Sequence, residues 1–160
     1  MRGSAMKFVD ENLYLNYTEL YTNKNTAAME KLDAQKKAYS EYFNTVICPA
    51  FSKAFVTQYQ RCSGFHDWEI LALTQEQTPR GGVQVRAKLF ADHLGKEKCL
   101  VYKKVKKFTA SFDFDHFKDM LYDNLSTDEF LKIDDKTFSH EVWFAGGSHY
   151  YVEFEKISID

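Results

Sequence analysis

The spacing of the hydrophobic residues changes at Gly64, and this change constrains the fold more than any other feature of the sequence. Between Thr26 and Val46 the apolar residues recur at spacings of three, four and seven, which is typical of an amphipathic helix. After Gly64 apolar and polar residues alternate, which is typical of half-buried strands. The chain is therefore predicted to form helices first and a sheet second.

The part of the chain before Gly64 predicts several helices. Asn25 or Thr26 is expected to cap the helix that starts there, because a short polar side chain satisfies amides of the first turn. Pro49 lies near the start of a second helix through AFSKAFVTQYQR, where a missing N–H is tolerated. Ser63-Gly64 is expected to end that helix, since glycine suits a left-handed stop. A weaker pattern predicts a further helix at residues 10–21.

The alternating part predicts antiparallel strands joined by short turns. Trp68, Ile70 and Ala72 are expected on one face of the first strand, and TQEQTPRGG is expected to form a hairpin loop. A short helix through DHFKDMLYDN is expected to interrupt the strands. The predicted strands lie at residues 68–72, 83–89, 99–105, 137–145 and 149–159, and the third is followed by Phe108, Ala110, Phe112 and Phe114 on one face. Short turns such as Gly-Gly-Ser require antiparallel neighbours, so the fold class is α+β, with N-terminal helices followed by an antiparallel sheet of about five or six strands.

The size and composition of the chain fit one domain. It has 160 residues, of which 44% are hydrophobic and 16% aromatic, enough for a single buried core. Residues 1–5 resemble an expression leader, so the domain is expected at residues 6–160. The formal net charge of −2 gives no overall attraction to nucleic acid or to anionic lipid. The sequence has no run of about 18 apolar residues and so predicts no membrane span.

The cysteines predict a reducing compartment. Cys48, Cys62 and Cys99 are widely spaced, and no two of them form a CxxC pair. An odd number of cysteines without a secretion signal is typical of reduced thiols in the cytoplasm, where we expect the protein to act. We interpret all three as small half-buried hydrophobic residues rather than as metal ligands.

The stretch GFHDWEI, at residues 64–70, combines a base with two acids. His66, Asp67 and Glu69 are residue types that orient one another in catalysis or hold a metal together. Successive side chains of a strand point to opposite faces, so on a strand His66 shares its face with Trp68 while both acids point away. We therefore interpret the stretch as the start of the sheet; a bulge or loop is the arrangement that would change this.

A second histidine with an acidic neighbour opens the strand predicted at residues 137–145. His140 is followed by Glu141 and preceded by Ser139, but no GxSxG segment supports a serine nucleophile. If the strands that carry His66 and His140 pair, the two imidazoles form one site. The favoured alternative is that each histidine is hydrogen-bonded at a strand end.

Four lysines flank Val105 in the stretch KKVKK, at residues 103–107. Basic residues among aromatic ones bind single-stranded nucleic acid in some proteins. Val105 interrupts the run as an inward-facing strand residue does, so the lysines are expected in solvent or at a sheet edge, where lysine opposes aggregation. The nearly neutral whole chain also argues against nucleic acid as a partner.

The order of these motifs resembles that of a family of small bacterial proteins of unknown function, found mainly in Firmicutes. The resemblance is carried by KFVDENLYLNY, the tyrosine-rich helix before Pro49, FHDWEI, YKKVKKF and SHEVWFAGGSHYYVEFEKISI. It implies helices followed by a sheet in a bacterial cytoplasmic protein, and it implies no activity. Some proteins with a similar FHD opening resemble immunity proteins, which inhibit a toxin by binding it. This implies an exposed face with aromatic anchors, for which Trp68, Trp143, Tyr150 and Tyr151 are the candidates.

The sequence therefore predicts a small, cytoplasmic, non-catalytic domain that binds another protein, either a toxin or a second copy of itself. An immunity-type inhibitor is the most concrete form of this prediction. The alternative is a metal-dependent enzyme or metal-binding protein that uses the two His/acid strand openings, namely His66, Asp67, Glu69, His140 and Glu141. No cofactor, nucleic acid or membrane is implied.

Overall fold

Helices occupy the first part of the described chain, as the hydrophobic spacing predicts. A computed structural model describes residues 6–8, 10, 23–112 and 124–160. Helix α1 spans Thr26–Tyr42 and continues as a wider helical turn over Phe43–Ile47. The Asn25 side chain accepts the Ala28 N–H at 3.2 Å, which confirms Asn25 as the cap.

Helix α2 spans Lys53–Arg61. It starts later than predicted because the Ser52 hydroxyl caps it, accepting the Phe55 N–H at 3.2 Å. Gly64 has a φ of 63°, which confirms the left-handed stop. The helices predicted at residues 10–21 and 115–124 lie outside the described residues, apart from the residue at the start of the first and the end of the second. No helix in the described part of the chain is long and apolar enough to cross a membrane.

The described residues form eight strands in two antiparallel sheets, which confirms the α+β class. One sheet has the order β1-β2-β3-β8, and the other has the order β4-β7-β6-β5. The strands are β1 Glu69–Gln77, β2 Val83–Ala91, β3 Lys96–Lys103, β4 Lys107–Ser111, β5 Leu125–Lys132, β6 Phe138–Phe144, β7 His149–Phe154 and β8 Lys156–Ile159. Because β1 runs to Gln77, the hairpin loop is shorter than the predicted TQEQTPRGG.

The two sheets share one long strand pair. Strand β4 continues β3, and β8 continues β7, so both members of the pair bend at the same place. Lys103 pairs with Lys156 and Lys107 with Glu153, which leaves three residues of one strand facing two of the other. A bulge of this kind bends a strand pair and increases its twist. The eight strands thus correspond to six long ones, and β5 is the one that the alternation does not predict.

The outer strands of the two sheets meet where β1 and β5 begin. Leu125 donates its N–H to the Trp68 carbonyl at 2.8 Å, and Asp67 donates its N–H to the Leu125 carbonyl at 2.9 Å. The strands therefore wrap around one core, which the helices complete. Its largest fully buried side chains include Phe55, Phe65, Leu89, Leu100, Phe130, Phe144 and Phe154.

Two tyrosines of α1 cover the edge of β5. Tyr39 Oη accepts the Phe130 N–H at 2.7 Å, and Tyr42 Oη accepts the Lys132 N–H at 2.9 Å. An uncovered strand edge offers such N–H groups to other chains. These two bonds therefore close the edge and fix α1 against the second sheet.

One predicted strand face is wrong. The register of β1 shifts between Ile70 and Ala72, so Ala72 does not share the inward face of Ile70. Leu73 packs against the core instead, and the intervening Leu71 is 42% exposed. A bulge inserts one residue and reverses every face that follows it, and an alternating pattern does not locate the insertion.

Candidate functional site

Five polar side chains form a continuous hydrogen-bonded network inside the core. Asp128 of β5 lies between Tyr59 of α2 and His140 of β6, and its Oδ2 is 2.5 Å from Tyr59 Oη and 2.7 Å from His140 Nε2. His140 Nδ1 lies 2.6 Å from Tyr102 Oη, which lies 2.9 Å from Tyr150 Oη. The network therefore joins both sheets to α2.

The chemistry of these groups gives each hydrogen bond a direction. An ionised carboxylate only accepts, so Tyr59 and His140 both donate to Asp128. Nδ1 of the neutral His140 then accepts from Tyr102, and Tyr102 in turn accepts from Tyr150. Each bond of the network therefore stabilises the negative charge of Asp128.

Burial sets the protonation of the groups behind Asp128. His140, Tyr102 and Tyr150 are 0% exposed. Burial lowers the pKa of His140 against the opposing effect of the Asp128 charge, so the imidazole is neutral at pH 7. Burial also raises the pKa of Tyr59, Tyr102 and Tyr150. Asp128 is therefore held by neutral donors.

Asp128 also lies at the floor of an open cleft of about 430 Å³. The cleft lies between the second half of α1, the segment after α2 and the start of β5. Its polar lining includes Lys36, Ser40, His66 and Ser126, and the Asp128 side chain is 12% exposed. This volume falls within the range of about 300–1,000 Å³ that is usual for ligand sites.

The two oxygens of Asp128 have different surroundings. Both hydrogen bonds from Tyr59 and His140 go to Oδ2. In the described residues no side chain or amide donates to Oδ1. Oδ1 therefore keeps the acceptor capacity that Oδ2 has already used.

The backbone at the rim of the cleft is strained. Ser63, Phe65 and Asp67 have φ values of 51°, 61° and 65°, in addition to the glycine between them. Such conformations cost a non-glycine residue about 1–3 kcal/mol each, and they concentrate at binding and catalytic sites. The strain supports a functional role for this rim.

Residues 64–68 of the stretch GFHDWEI form the rim and not a strand, and only its last two residues, Glu69 and Ile70, belong to β1. His66 and Asp67 are exposed and contact each other, with 3.1 Å between Nδ1 and Oδ2. The interpretation that they point to opposite faces of a strand is wrong, because Asp67 adopts a left-handed turn. His66 lines the cleft, whereas Trp68 is 2% exposed in the core.

The second predicted pair is divided between two faces of β6. His140 points into the core, and Glu141 points to the other face, where its Oε1 accepts the Trp143 indole N–H at 3.1 Å. Strand β6 pairs with β5 and β7, and not with β1, which follows His66. Throughout residues 6–8, 10, 23–112 and 124–160, no three His, Cys, Asp or Glu side chains are grouped as metal ligands.

The four aromatic candidates for a protein interface differ in exposure. Trp68 and Tyr150 are 2% and 0% exposed, so neither offers a surface contact. Trp143 is half-buried and stacks on His149, with 4.3 Å between ring centroids. Tyr151 is also half-buried, and Lys107 Nζ lies 5.5 Å from its ring.

The lysines of KKVKK lie at the corner of the long strand pair. Glu155 binds Lys104 at 3.0 Å and Lys106 at 2.9 Å. Val105 packs against the core between them, as predicted. These two lysines therefore stabilise the bend by pairing with an opposite charge.

The three cysteines are protonated, unreactive thiols. Cys48, Cys62 and Cys99 are free thiols and half-buried. Burial raises the pKa of each thiol, which keeps it protonated and unreactive. This fits their interpretation as small hydrophobic residues.

No protein-family model matches the chain, and no curated protein matches it. The resemblance to a family from Firmicutes stays a prediction that depends on its motifs. Function is therefore inferred from the cleft and from the network behind it.

The sequence does not predict Asp128, Tyr59 or Tyr102 as site residues. Asp128 lies on the inward face of β5 beside Phe130, and this carboxylate on an apolar face is the one local signal. The same carboxylate interrupts the alternation by which a strand is predicted. The tyrosines resemble ordinary core aromatics, because only the packing of α2 and of the two sheets against each other brings them to the histidine and the carboxylate.

Proposed function

We propose that the protein is a non-catalytic protein-binding domain and that its partner docks in the cleft above Asp128. One observation carries the proposal: Tyr59 and His140 hold Oδ2 of Asp128 at the floor of an open cleft, and Oδ1 has no donor among the described residues. A group that is already fixed by its neighbours loses little conformational freedom on binding, so its contact contributes more to affinity.

The burial of the histidine favours binding over catalysis. His140 and Tyr102 are 0% exposed and lie behind Asp128, so a molecule in the cleft touches the carboxylate but not the imidazole. A general acid or base must lie within hydrogen-bond reach of the proton that it transfers. The network therefore positions Asp128. The alternative of a metal-dependent enzyme has less support, because its five candidate ligands are spread over the rim, the start of β1 and both faces of β6.

An immunity-type inhibitor of a bacterial toxin, acting in the cytoplasm, is the most concrete form of this proposal. Such a protein binds its target without changing it, which needs a preformed contact and no reactive group. A protein partner is favoured over nucleic acid, because Glu155 already pairs with two lysines of the basic stretch. A phosphate backbone would have to displace these pairs.

Blocking the cleft tests the proposal. Ser126 lines the cleft, so Ser126→Trp fills it, whereas Ser111→Trp at an exposed position of β4 is the matched control. The wild type and both variants are used to capture proteins from the bacterium that encodes the chain. We expect one protein that the wild type and Ser111→Trp retain and that Ser126→Trp loses, followed by the same order of affinities with that protein purified. Equal retention by all three, or no retained protein, contradicts docking in the cleft.

A further inference from the structure

Asp128 has one oxygen that accepts two hydrogen bonds and one that has no donor among the described residues. Oδ2 accepts from Tyr59 at 2.5 Å and from His140 at 2.7 Å. Both donors are at least nine-tenths buried and belong to different elements, so a ligand does not displace them without opening the core. A ligand in the cleft is therefore recognised by one oxygen of the negatively charged Asp128 carboxylate.

One open oxygen discriminates between the two basic side chains. A guanidinium binds a carboxylate best through two parallel N–H···O bonds, which need both oxygens. An ammonium is a compact charge with three donors, and each donor needs only one oxygen. The geometry of Asp128 therefore favours lysine over arginine.

The walls of the cleft suit the rest of a lysine side chain. Tyr39, Phe43 and Tyr59 line it, with centroids 6.1 Å apart for the first two rings and 5.5 Å apart for the last two. Lysine lays its methylene stem along apolar surface of this kind, and a nearby aromatic ring also attracts its charge. The hydroxyls of Ser40 and Ser126 line the same cleft and are acceptors for the remaining ammonium protons.

We propose that the cleft binds a lysine side chain of the partner protein, with its Nζ on Oδ1 of Asp128. The inference rests on the proposed function and narrows it to one chemical group. The lysine side chain, its methylene stem included, is the part of the partner that enters the cleft, and the partner's remaining contacts lie around the rim.

Small lysine analogues test the inference without knowledge of the partner. The full chain, labelled with ¹⁵N, is titrated with Nα-acetyl-lysine methylamide, and amide shifts are followed by NMR. We expect saturable millimolar binding, with shifts centred on Leu125–Asp128 and on the rim at residues 63–67. Three further probes share the same backbone: the arginine, norleucine and Nε-acetyl-lysine derivatives. Each is expected to bind at least about tenfold more weakly.

Two variants locate the charge that matters. Asp128→Asn is expected to lose the preference for lysine over norleucine, whereas Glu76→Gln, at an exposed carboxylate of β1, keeps it. If Asp128→Asn does not fold, the order of the four probes on the wild type still decides the matter. Equal binding of lysine and norleucine, or tighter binding of arginine, overturns the inference.

The two proposals fail in different ways. If a protein is captured through the cleft but the lysine probe binds no better than the others, the proposed function stands and the lysine inference is wrong. If the lysine probe binds best but no protein is captured, the ammonium site is supported and the proposed protein-binding function is contradicted.

Discussion

Tyr102 and His140 belong to different sheets and are joined inside the core by a hydrogen bond of 2.6 Å between Oη and Nδ1. The bond continues on one side to Tyr150 and on the other to Asp128. Because Tyr102, Tyr150 and His140 are neutral, these bonds stabilise the one charge of the network, on the partly buried carboxylate of Asp128. It couples the packing of the sheets to the position of the oxygen at the cleft floor.

Removing the Tyr102 hydroxyl is expected to destabilise the protein. Tyr102→Phe leaves Nδ1 of His140 and the Tyr150 hydroxyl without their shared partner in the core. We expect the free energy of unfolding to fall by about 1–3 kcal/mol, the usual effect of leaving a buried polar group unsatisfied. Urea denaturation measures this difference.

Tyr151→Phe is the matched control for this substitution. Its hydroxyl donates to Glu153 at 2.8 Å on a half-buried surface, where water can replace the bond. Its effect is expected to stay within about 0.5 kcal/mol. Equal losses from the two variants would show that the network contributes no more than a surface contact.

Acid is expected to destabilise the fold through His140. Burial lowers the pKa of this imidazole in the folded protein, whereas the unfolded chain has the ordinary value of about 6.5. Below that pH the unfolded state binds the extra proton, so the free energy of unfolding decreases as pH falls, by at most about 1.4 kcal/mol per pH unit from this group. Above about pH 6.5 this contribution is complete.

The test is the slope of stability against pH. His140→Gln has an amide that can donate to Asp128 and accept from Tyr102 but does not titrate, so its stability curve should be flatter between pH 5 and 6.5 than that of the wild type. His93→Gln changes an exposed histidine and is expected to retain the wild-type slope. A wild-type slope in His140→Gln would assign the acid sensitivity to other groups.

Gly64 and Gly95 offer a direct comparison of backbone strain with a steric contact. Both have positive φ values, 63° and 56°. A Cβ at Gly64 would lie 3.0 Å from Tyr59 Oη, whereas a Cβ at Gly95 meets nothing within 4 Å. We expect Gly95→Ala to lower the free energy of unfolding by about 1 kcal/mol.

Gly64→Ala is expected to cost about 1 kcal/mol more than Gly95→Ala, because the Tyr59 ring must also move. The movement should weaken the hydrogen bond from Tyr59 to Asp128 and therefore disturb the cleft. Chemical denaturation of both variants gives the difference. Identical losses would mean that Tyr59 moves freely, which the proposed role of this residue in fixing Asp128 does not allow.

The edge of β5 gives a fourth prediction. Tyr39→Phe removes the acceptor of the Phe130 N–H in a part-buried position and should lower the free energy of unfolding by about 1–2 kcal/mol. Tyr42→Phe removes the acceptor of the Lys132 N–H at an exposed position, and its effect should stay within about 0.5 kcal/mol. Amide hydrogen exchange at Phe130 and Lys132 checks that each loss is local; faster exchange at both positions in either variant would contradict it.

Local chemistry accounts for the parts of the fold that the sequence predicts. Asn25 caps α1 and Gly64 stops the chain after α2, as their side chains require, and Val85, Ala87 and Leu89 point inward as the alternation indicates. Each of these outcomes depends on residues within a few positions of one another. The GGS turn between β6 and β7 is of the same kind, with a φ of 88° at Gly147.

The rim of the cleft shows where local reasoning ends. GFHDWEI carries the alternation of a strand, yet three of its residues have left-handed backbone conformations. The reason lies in the contact between this segment and β5, where Trp68 and Asp67 exchange hydrogen bonds with Leu125. A partner that is more than 50 residues away in the sequence leaves no periodic signal in the stretch itself.

The sequence by itself determined that helices precede strands, and it determined the caps and turns, because these depend on backbone preferences and on side chains close together in the chain. Only the tertiary structure decided that β3–β4 and β7–β8 bend into two sheets and that Asp128 has His140 behind it and a cleft in front. Hydrogen bonds between strands set the register within each sheet. The packing of the two sheets and of α2 then brings together Tyr59, Tyr102 and Asp128, residues that no spacing along the chain connects.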